Sequence, residues 1–350
     1  MTTPVPAPEF ADVFERYFAA LTTADRAGAI RIALDLVDEG RPVAEVLTGL
    51  VSPAQIEVGR RWAANEWNVA QEHAATSVSE EVVAALAHHS RPEAHLGIAV
   101  VSCVEGEWHA LPARLLAETL RSAGWDVRYL GASLPASHLT QFIHDVGPDV
   151  VALSCSIATS LPRARSMIEA ARDGGVPVIA GGRGFGADGR RAALLGANGW
   201  AASAPEAAAR LADPDWPRFT DRAPELRPVD DAADRLWQSI ETLTDASESE
   251  VLRRFPGMAD YDADARARTR EDMHHILDFL AAALYVDEVE LFEEFVGWLD
   301  ALLEARAVPQ AALTAGLDAV AAVLPDLPRA EAFLDQARRR RSGELRSAVG

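Results

Sequence analysis

The chain has 350 residues, of which 49% are hydrophobic and 25% are charged, a composition typical of a globular protein with two or three domains. Its 53 acidic residues outnumber 33 lysines and arginines, and the net charge of −20 argues against a surface that binds nucleic acid. No apolar run reaches the roughly 20 residues that cross a bilayer, and the N-terminus lacks a secretory pattern. These features predict a cytoplasmic protein with no membrane contact and no direct contact with nucleic acid.

Apolar residues recur at helical spacing through residues 9–90. In the first stretch, Phe10, Phe14 and Leu21 fall on one helix face. Short breaks separate four such stretches, and short connections are typical of helices that run antiparallel to their neighbours. We therefore predict a four-helix bundle in residues 1–92.

The pattern changes over residues 93–213, where short apolar runs alternate with helical runs. The predicted strands cover residues 96–104, 126–131, 149–156, 176–182 and 199–203. This alternation predicts a Rossmann-like parallel sheet of five strands with helices on both faces. Cys103 and Cys155 fall in these strands, where we expect them to be buried and reduced.

Residues 214–231 contain four prolines and many charges, which predicts a linker. Residues 232–350 return to a helical apolar period. This last part predicts an all-helical domain that resembles globin or phycobilisome domains. A simple dimerisation bundle is the alternative.

The loop EGEWHALP, residues 105–112, follows the first predicted strand and so lies at the edge of the sheet where ligands bind. It offers His109, with Glu107 two residues before it. A carboxylate that takes the proton of one ring nitrogen orients an imidazole and makes the other nitrogen a better metal ligand. The ends of the third and fourth strands bring further small residues to this edge: Ser154, Ser156, Gly181 and Gly182.

These residues resemble the cobalamin-binding domain family. That family carries an Asp-x-His-x-x-Gly loop after its first strand, a serine-rich end to the third and a Gly-Gly pair at the fourth. Here the loop reads Glu107-x-His109-x-x-Pro112, which keeps the carboxylate and replaces the glycine. The resemblance implies that His109 is the lower ligand of cobalt and that the nucleotide tail of the cofactor lies between the serine and glycine edges. Trp108 is a further predicted cofactor contact.

Within the predicted bundle, nine residues separate Trp62 from the pair Glu72 and His73, and Val69 lies between them. This spacing resembles the light-sensing adenosylcobalamin repressors of carotenoid synthesis. The resemblance implies that these four residues surround the adenosyl group.

Two departures from that family change the expectation. Ala63 stands where those proteins carry a His that binds cobalt after illumination, so we expect water or another residue, with His73 nearest in sequence, in the lit state. No helix-turn-helix segment precedes the predicted bundle, so we do not expect this chain to bind DNA as those repressors do.

In the last predicted domain, Arg266, Arg270 and His274 are spaced at i, i+4 and i+8 and share one helix face. Such a face can pair with the two propionates of a bilin or a haem. His275 lies about a hundred degrees round the helix and is expected to face an apolar pocket with Phe279.

The whole order of domains resembles the photocobilins, photoreceptors that bind adenosylcobalamin and biliverdin together. Both cysteines fall in the predicted cobalamin domain, so biliverdin is expected to be held non-covalently. The prediction is a light sensor rather than an enzyme, forming a homo-oligomer and signalling to an unidentified protein partner. The alternatives are a corrinoid methyl-transfer component and a cobalamin protein with a haem-globin sensor domain.

Overall fold

The computed structural model describes residues 8–89, 92–217, 231–324 and 326–343. The chain divides into two compact units, Met1–Leu226 and Arg227–Gly350. Most of the predicted linker lies outside the described residues, so its limits and the other domain boundaries stay predictions. None of the described helices is long and apolar enough to span a membrane.

The first unit begins with the predicted helical cap. Its helices are α1 (Ala11–Thr22), α2 (Arg26–Asp38), α3 (Val43–Val46), α4 (Ser52–Ala63) and α5 (Val69–His89). A π-helical segment, Leu47–Val51, joins α3 to α4 without a break, so the cap has four helical rods, as predicted. Tyr17, Leu47 and Val82 are fully buried at its centre, because the apolar stripes of the rods face one another.

A five-stranded parallel sheet follows, as predicted. Its strands are β1 (Ile98–Cys103), β2 (Asp126–Gly131), β3 (Val150–Ser154), β4 (Val178–Gly181) and β5 (Gly199–Ala201). The helices that connect and follow them are α6 (Ala110–Ser122), α7 (Ala136–Val146), α8 (Leu161–Asp173), α9 (Arg190–Leu194) and α10 (Ala204–Leu211). Continuous runs of buried Val, Ala and Leu form β1 and β3, as expected for strands covered on both faces.

The strand order is β2-β1-β3-β4-β5. The chain leaves β1 towards one side to form β2 and returns to form β3 on the other side. This reversal is the switch point at which doubly wound sheets open a crevice beyond the carboxyl ends of their strands. Cys103 pairs with Ser154 and Ser154 with Gly181, so the ends of three central strands lie level at this crevice.

The cap packs on the sheet domain through α6. Leu111 and Leu115 belong to the same apolar cluster as the centre of the cap. His109 is the residue immediately before α6. The cap is therefore attached to the helix that begins at the predicted metal ligand.

The second unit is all-helical over its described residues. Its helices are α11 (Asp231–Arg254), α12 (Ala263–Val286), α13 (Val289–Ala305), α14 (Gln310–Val323) and α15 (Pro328–Arg341). Ile276, Leu280 and Phe292 are fully buried within it, so the unit has an apolar core of its own.

Candidate functional site

The loop after β1 places a buried carboxylate against an imidazole. Glu107 is only 2% exposed, and its Oε1 lies 2.5 Å from Nδ1 of His109 and accepts the His109 backbone N–H at 3.0 Å. Its Oε2 accepts the backbone N–H groups of Ser156 and Ile157 at 2.7 and 3.1 Å. One carboxylate therefore fixes the ring of His109 and joins the loop after β1 to the loop after β3.

Electrostatics strengthen this pair. The hydrogen bond to Glu107 raises the pKa of His109 above its usual value, although burial opposes the shift. Burial alone would raise the pKa of Glu107, but hydrogen bonds from the side chain and backbone of His109 and from the Ser156 backbone keep it below its usual value. Glu107 is therefore an anion that accepts a hydrogen bond from the Nδ1–H group of His109.

The geometry leaves Nε2 of His109 as the ring nitrogen with a lone pair. A neutral imidazole that donates from Nδ1 presents an acceptor at Nε2, and a carboxylate partner makes that nitrogen more basic. The His109 side chain is 57% exposed. One imidazole does not enclose a metal ion, so it suits a metal that a macrocycle already binds. His109, oriented by Glu107, would fit as the protein ligand to the metal of a cobalt corrinoid.

The ends of the neighbouring strands β3 and β4 pack around the loop that carries His109. Gly182 has a φ of +101°, and a Cβ atom there would lie 2.4 Å from the backbone oxygen of Cys155. The turn after β4 therefore runs directly against the end of β3, a packing that only glycine permits. The structure brings Ser154, Ser156, Gly181 and Gly182 together at the same edge as His109, as the sequence predicts. Their contact with a nucleotide tail stays a prediction.

Cys103 ends β1, whereas Cys155 lies one residue beyond the end of β3 rather than in the strand as predicted. Both are free and buried, as expected. Burial raises the pKa of the Cys103 thiol to about 12 and raises that of Cys155 further. Thiols of this kind are inert rather than reactive.

Exposed apolar groups flank His109. Trp108 is 76% exposed, and Ile157, whose N–H binds Glu107, is 38% exposed. Large apolar side chains at a crevice indicate a surface that a ligand covers. The sequence analysis missed Ile157, because its place beside His109 depends on a backbone hydrogen bond between distant loops.

The cap contributes the other predicted residues. Trp62 is half-buried near the end of α4, while Val69 is 55% exposed at the start of α5. The Glu72 side chain is 25% exposed and that of His73 is 75% exposed, with Oε2 of Glu72 3.4 Å from Nε2 of His73. The negative charge of Glu72 also contributes to the raised pKa of His109. Glu72 is therefore close enough to the loop after β1 to act on it.

In the second unit, the predicted bilin residues share one face of α12 but bind protein groups. Arg270 contacts Glu241 at 2.9 Å and Asp245 at 2.8 Å. Nδ1 of His274 lies 3.6 Å from Glu241, and Arg266 donates to the backbone oxygen of Ala259 at 3.1 Å. The basic face is therefore satisfied by α11 and the turn that follows it, and its pairing with propionates stays a prediction.

The expected pocket of His275 and Phe279 does not form as described. His275 is exposed, and the ring of Phe279 stacks on Phe295 with centroids 3.9 Å apart. Aromatic stacking across two helices buries more apolar surface than a contact with an imidazole on the same helix, which accounts for the difference.

Two family models match the first unit. Residues 97–209 match the model described as B12 binding domain, and residues 13–87 match a second model of the same description. The sheet and its cap thus each match a B12-binding domain, which supports binding of a cobalt corrinoid. The match agrees with the fold, the switch-point crevice and the imidazole that the crevice presents.

Particular relatives cover parts of this region. The chain is 31% identical over 91 residues to dimethylamine corrinoid protein 1 of Methanosarcina acetivorans, an alignment that covers 25% of this chain and 43% of that protein. It is 27% identical over 175 residues to the HTH-type transcriptional repressor CarH of Myxococcus xanthus, covering 49% and 58%. The chain thus spans about half the length of these curated relatives.

A solved structure supports the fold. The monomethylamine corrinoid protein of Methanosarcina barkeri superimposes with a TM-score of 0.51 at 20% identity, covering 57% of this chain and 97% of that one. The similarity shows a common architecture of helical cap and parallel sheet.

Proposed function

We propose that this protein is a light sensor that binds adenosylcobalamin, with His109 as the lower ligand of cobalt. The observation that carries the proposal is the imidazole held by the buried Glu107, in the same unit as a cap that bears Trp62, Glu72 and His73. The 27% identity to a CarH repressor over 175 residues supports it.

Adenosylcobalamin, when bound, supplies a cobalt–carbon bond that light breaks. Nε2 of His109 would hold the cobalt, and Glu107 keeps the ring proton at Nδ1. The indole of Trp62 would pack on the adenosyl group. Glu72 and His73 would form hydrogen bonds with its polar atoms.

The cap and α6 provide a route for the signal. Because Leu111 and Leu115 pack into the cap, a rearrangement at the upper side of the cofactor alters the packing of the helix next to His109. We propose that the output is a change in conformation or in oligomeric state, read by a protein partner. With alanine at position 63, water or another residue, of which His73 is nearest in sequence, would bind the cobalt after illumination.

The second unit is proposed to hold biliverdin non-covalently. Cys103 and Cys155 are the only cysteines of the sequence, and both lie in the first unit. Propionates would replace Glu241 and Asp245 as partners of Arg270, so biliverdin binding would have to open those ion pairs. Red absorbance that is lost in an Arg266→Ala, Arg270→Ala double variant supports this assignment, and a Soret band from purified protein supports haem instead.

A second function, a carrier in corrinoid-dependent methyl transfer, is favoured by the 31% identity to a dimethylamine corrinoid protein. The upper-side residues discriminate between the two. A methyl group needs only a small apolar cover, whereas Trp62 with Glu72 and His73 suits a large polar group.

The test is an absorption spectrum of the full chain loaded with adenosylcobalamin in darkness, recorded before and after illumination. We expect a light-dependent change, loss of cofactor affinity in His109→Ala, and wild-type behaviour in His144→Ala. His144 is a matched control because it is exposed at the end of α7, at the opposite edge of the sheet. Identical dark and lit spectra contradict the sensor. Demethylation of bound methylcobalamin by an added thiol-methyltransferase supports the carrier.

A further inference from the structure

A chain of three polar side chains joins two cap helices and ends at Glu72. The Nε2 atom of Gln55 in α4 lies 2.5 Å from Oγ1 of Thr76 in α5. The same Oγ1 lies 2.9 Å from Oε1 of Glu72, one helical turn before Thr76. We call Gln55, Thr76 and Glu72 the relay.

The chemistry of the groups fixes the direction of these hydrogen bonds. An ionised carboxylate can only accept, so the single proton of the Thr76 hydroxyl is donated to Glu72. Thr76 must then accept from Gln55, and only the amide nitrogen can donate to it. Each member therefore determines the orientation of the next.

Gln55 shows that this orientation has a cost. Its Oε1 is buried and has no hydrogen-bond partner among the described residues. A buried carbonyl without a partner is unfavourable, and turning the amide round would place an acceptor against Thr76 instead. The hydrogen bond to Thr76 therefore sets the orientation of the Gln55 amide, although it leaves Oε1 without a partner.

The relay also leaves one carboxylate oxygen of Glu72 available. Oε1 accepts from Thr76, whereas Oε2 lies towards His73 at 3.4 Å. Gln55 is seven residues before Trp62 on α4 and so shares its face of the helix. Thr76 and Glu72 likewise share a face of α5 with Val69.

We propose that Gln55 and Thr76 are positioning residues that fix the Glu72 carboxylate. Its Oε2 can then accept a hydrogen bond from a hydroxyl group of the upper cobalt ligand. By this means they favour a ribose-bearing upper ligand over a methyl group. The inference rests on the proposed function, because it requires a polar group above the cobalt.

The experiment compares affinities of the full chain for adenosylcobalamin and methylcobalamin in darkness. Thr76→Val keeps the shape of the side chain and removes the hydroxyl. We expect it to weaken adenosylcobalamin binding about tenfold and to leave methylcobalamin binding within about twofold of wild type. Thr76→Ser restores the preference, and Gln55→Leu shifts it in the same direction as Thr76→Val.

The matched control is Thr48→Val. Thr48 is a partly buried threonine of the cap whose hydroxyl donates to the backbone oxygen of Ala44 at 2.7 Å, outside the relay. It should change neither affinity. An equal loss for both cofactors in Thr76→Val, or no loss for either, overturns the relay.

The wild-type protein separates the two hypotheses. A wild type that binds both cofactors with equal affinity overturns the adenosyl-specific function and the relay with it. A wild type that prefers adenosylcobalamin, with a Thr76→Val variant that keeps the full preference, overturns the relay alone.

Discussion

One carboxylate oxygen of Glu107, Oε1, accepts hydrogen bonds from both the backbone N–H and the Nδ1–H of His109. The other oxygen holds two backbone N–H groups of the loop after β3. The position of the imidazole is therefore set by the ends of two strands rather than by its own loop alone.

Replacing the carboxylate of Glu107 by an amide should damage the fold as well as the site. In Glu107→Gln, an NH2 group replaces one of the two carboxylate oxygens. The N–H groups that bound this oxygen, either those of His109 or those of Ser156 and Ile157, then lose their acceptor. We expect a loss of about 2–4 kcal/mol in the free energy of unfolding, measured by denaturant titration. Glu105→Gln, in the same loop and partly exposed, serves as control and should stay within about 0.5 kcal/mol of wild type. Equal stability of the two variants would contradict this role of the Glu107 carboxylate.

Trp108 should matter for binding and not for folding. At 76% exposure it contributes little to the core, so Trp108→Ala should leave the thermal midpoint unchanged. A corrinoid covering this indole would lose apolar contact, and we expect about tenfold weaker binding by spectroscopic titration. Leu96→Ala is the control, because Leu96 is 41% exposed but precedes β1 at the opposite edge. Unchanged affinity in Trp108→Ala would show that the ligand does not cover this side chain.

The turn after β4 should not tolerate a methyl group. Gly182→Ala combines a φ of +101° with a Cβ atom 2.4 Å from a backbone oxygen, and we expect it to lose about 3 kcal/mol of stability. Gly147 also has a positive φ, +60°, but no atom within 4 Å of its Cβ position. Gly147→Ala should therefore lose only about 1 kcal/mol. Denaturant unfolding of the two variants measures the difference, and similar losses would refute the close contact.

The raised pKa of Asp272 should make the stability of the second unit depend on pH. Burial, and next the charge of Glu271, raise its pKa to about 6 from an ordinary 3.8. Because the folded state holds the proton more tightly, the unit loses stability as the pH rises from about 4 to about 6. Asp272→Asn should recover about 1–2 kcal/mol at pH 7.5 and much less at pH 4.

Amide hydrogen exchange of α12 in the full chain measures this effect, since it reports the second unit directly. The exposed Asp260, replaced by Asn, is the control and should show no such pH-dependent gain. Equal protection of Asp272→Asn and wild type at both pH values would contradict the prediction.

Much of the fold follows from local patterns. The run DVVALSCS predicts the strand that the structure shows at Val150–Ser154, because buried parallel strands are short, continuous and apolar. The π-helical segment Leu47–Val51 was not predicted, since an apolar period cannot reveal one extra residue in a turn.

The candidate site was predictable only in part. His109 and Glu107 are two residues apart, so their pairing follows from the sequence. The backbone donors of Ser156 and Ile157 carry no side-chain signal, and the contact of Gln55 with Thr76 joins residues 21 positions apart across two helices. Such contacts depend on tertiary packing, which the spacing of residues does not specify.

Leu111 and Leu115 of α6 pack into the apolar core of the cap, and this packing sets a minimum free energy for releasing the cap. Lifting the cap would expose both side chains to water, which costs about 1.5–3 kcal/mol for each. A detached cap would thus be populated at no more than about one molecule in a hundred at rest. Any event that releases the cap must supply at least that free energy.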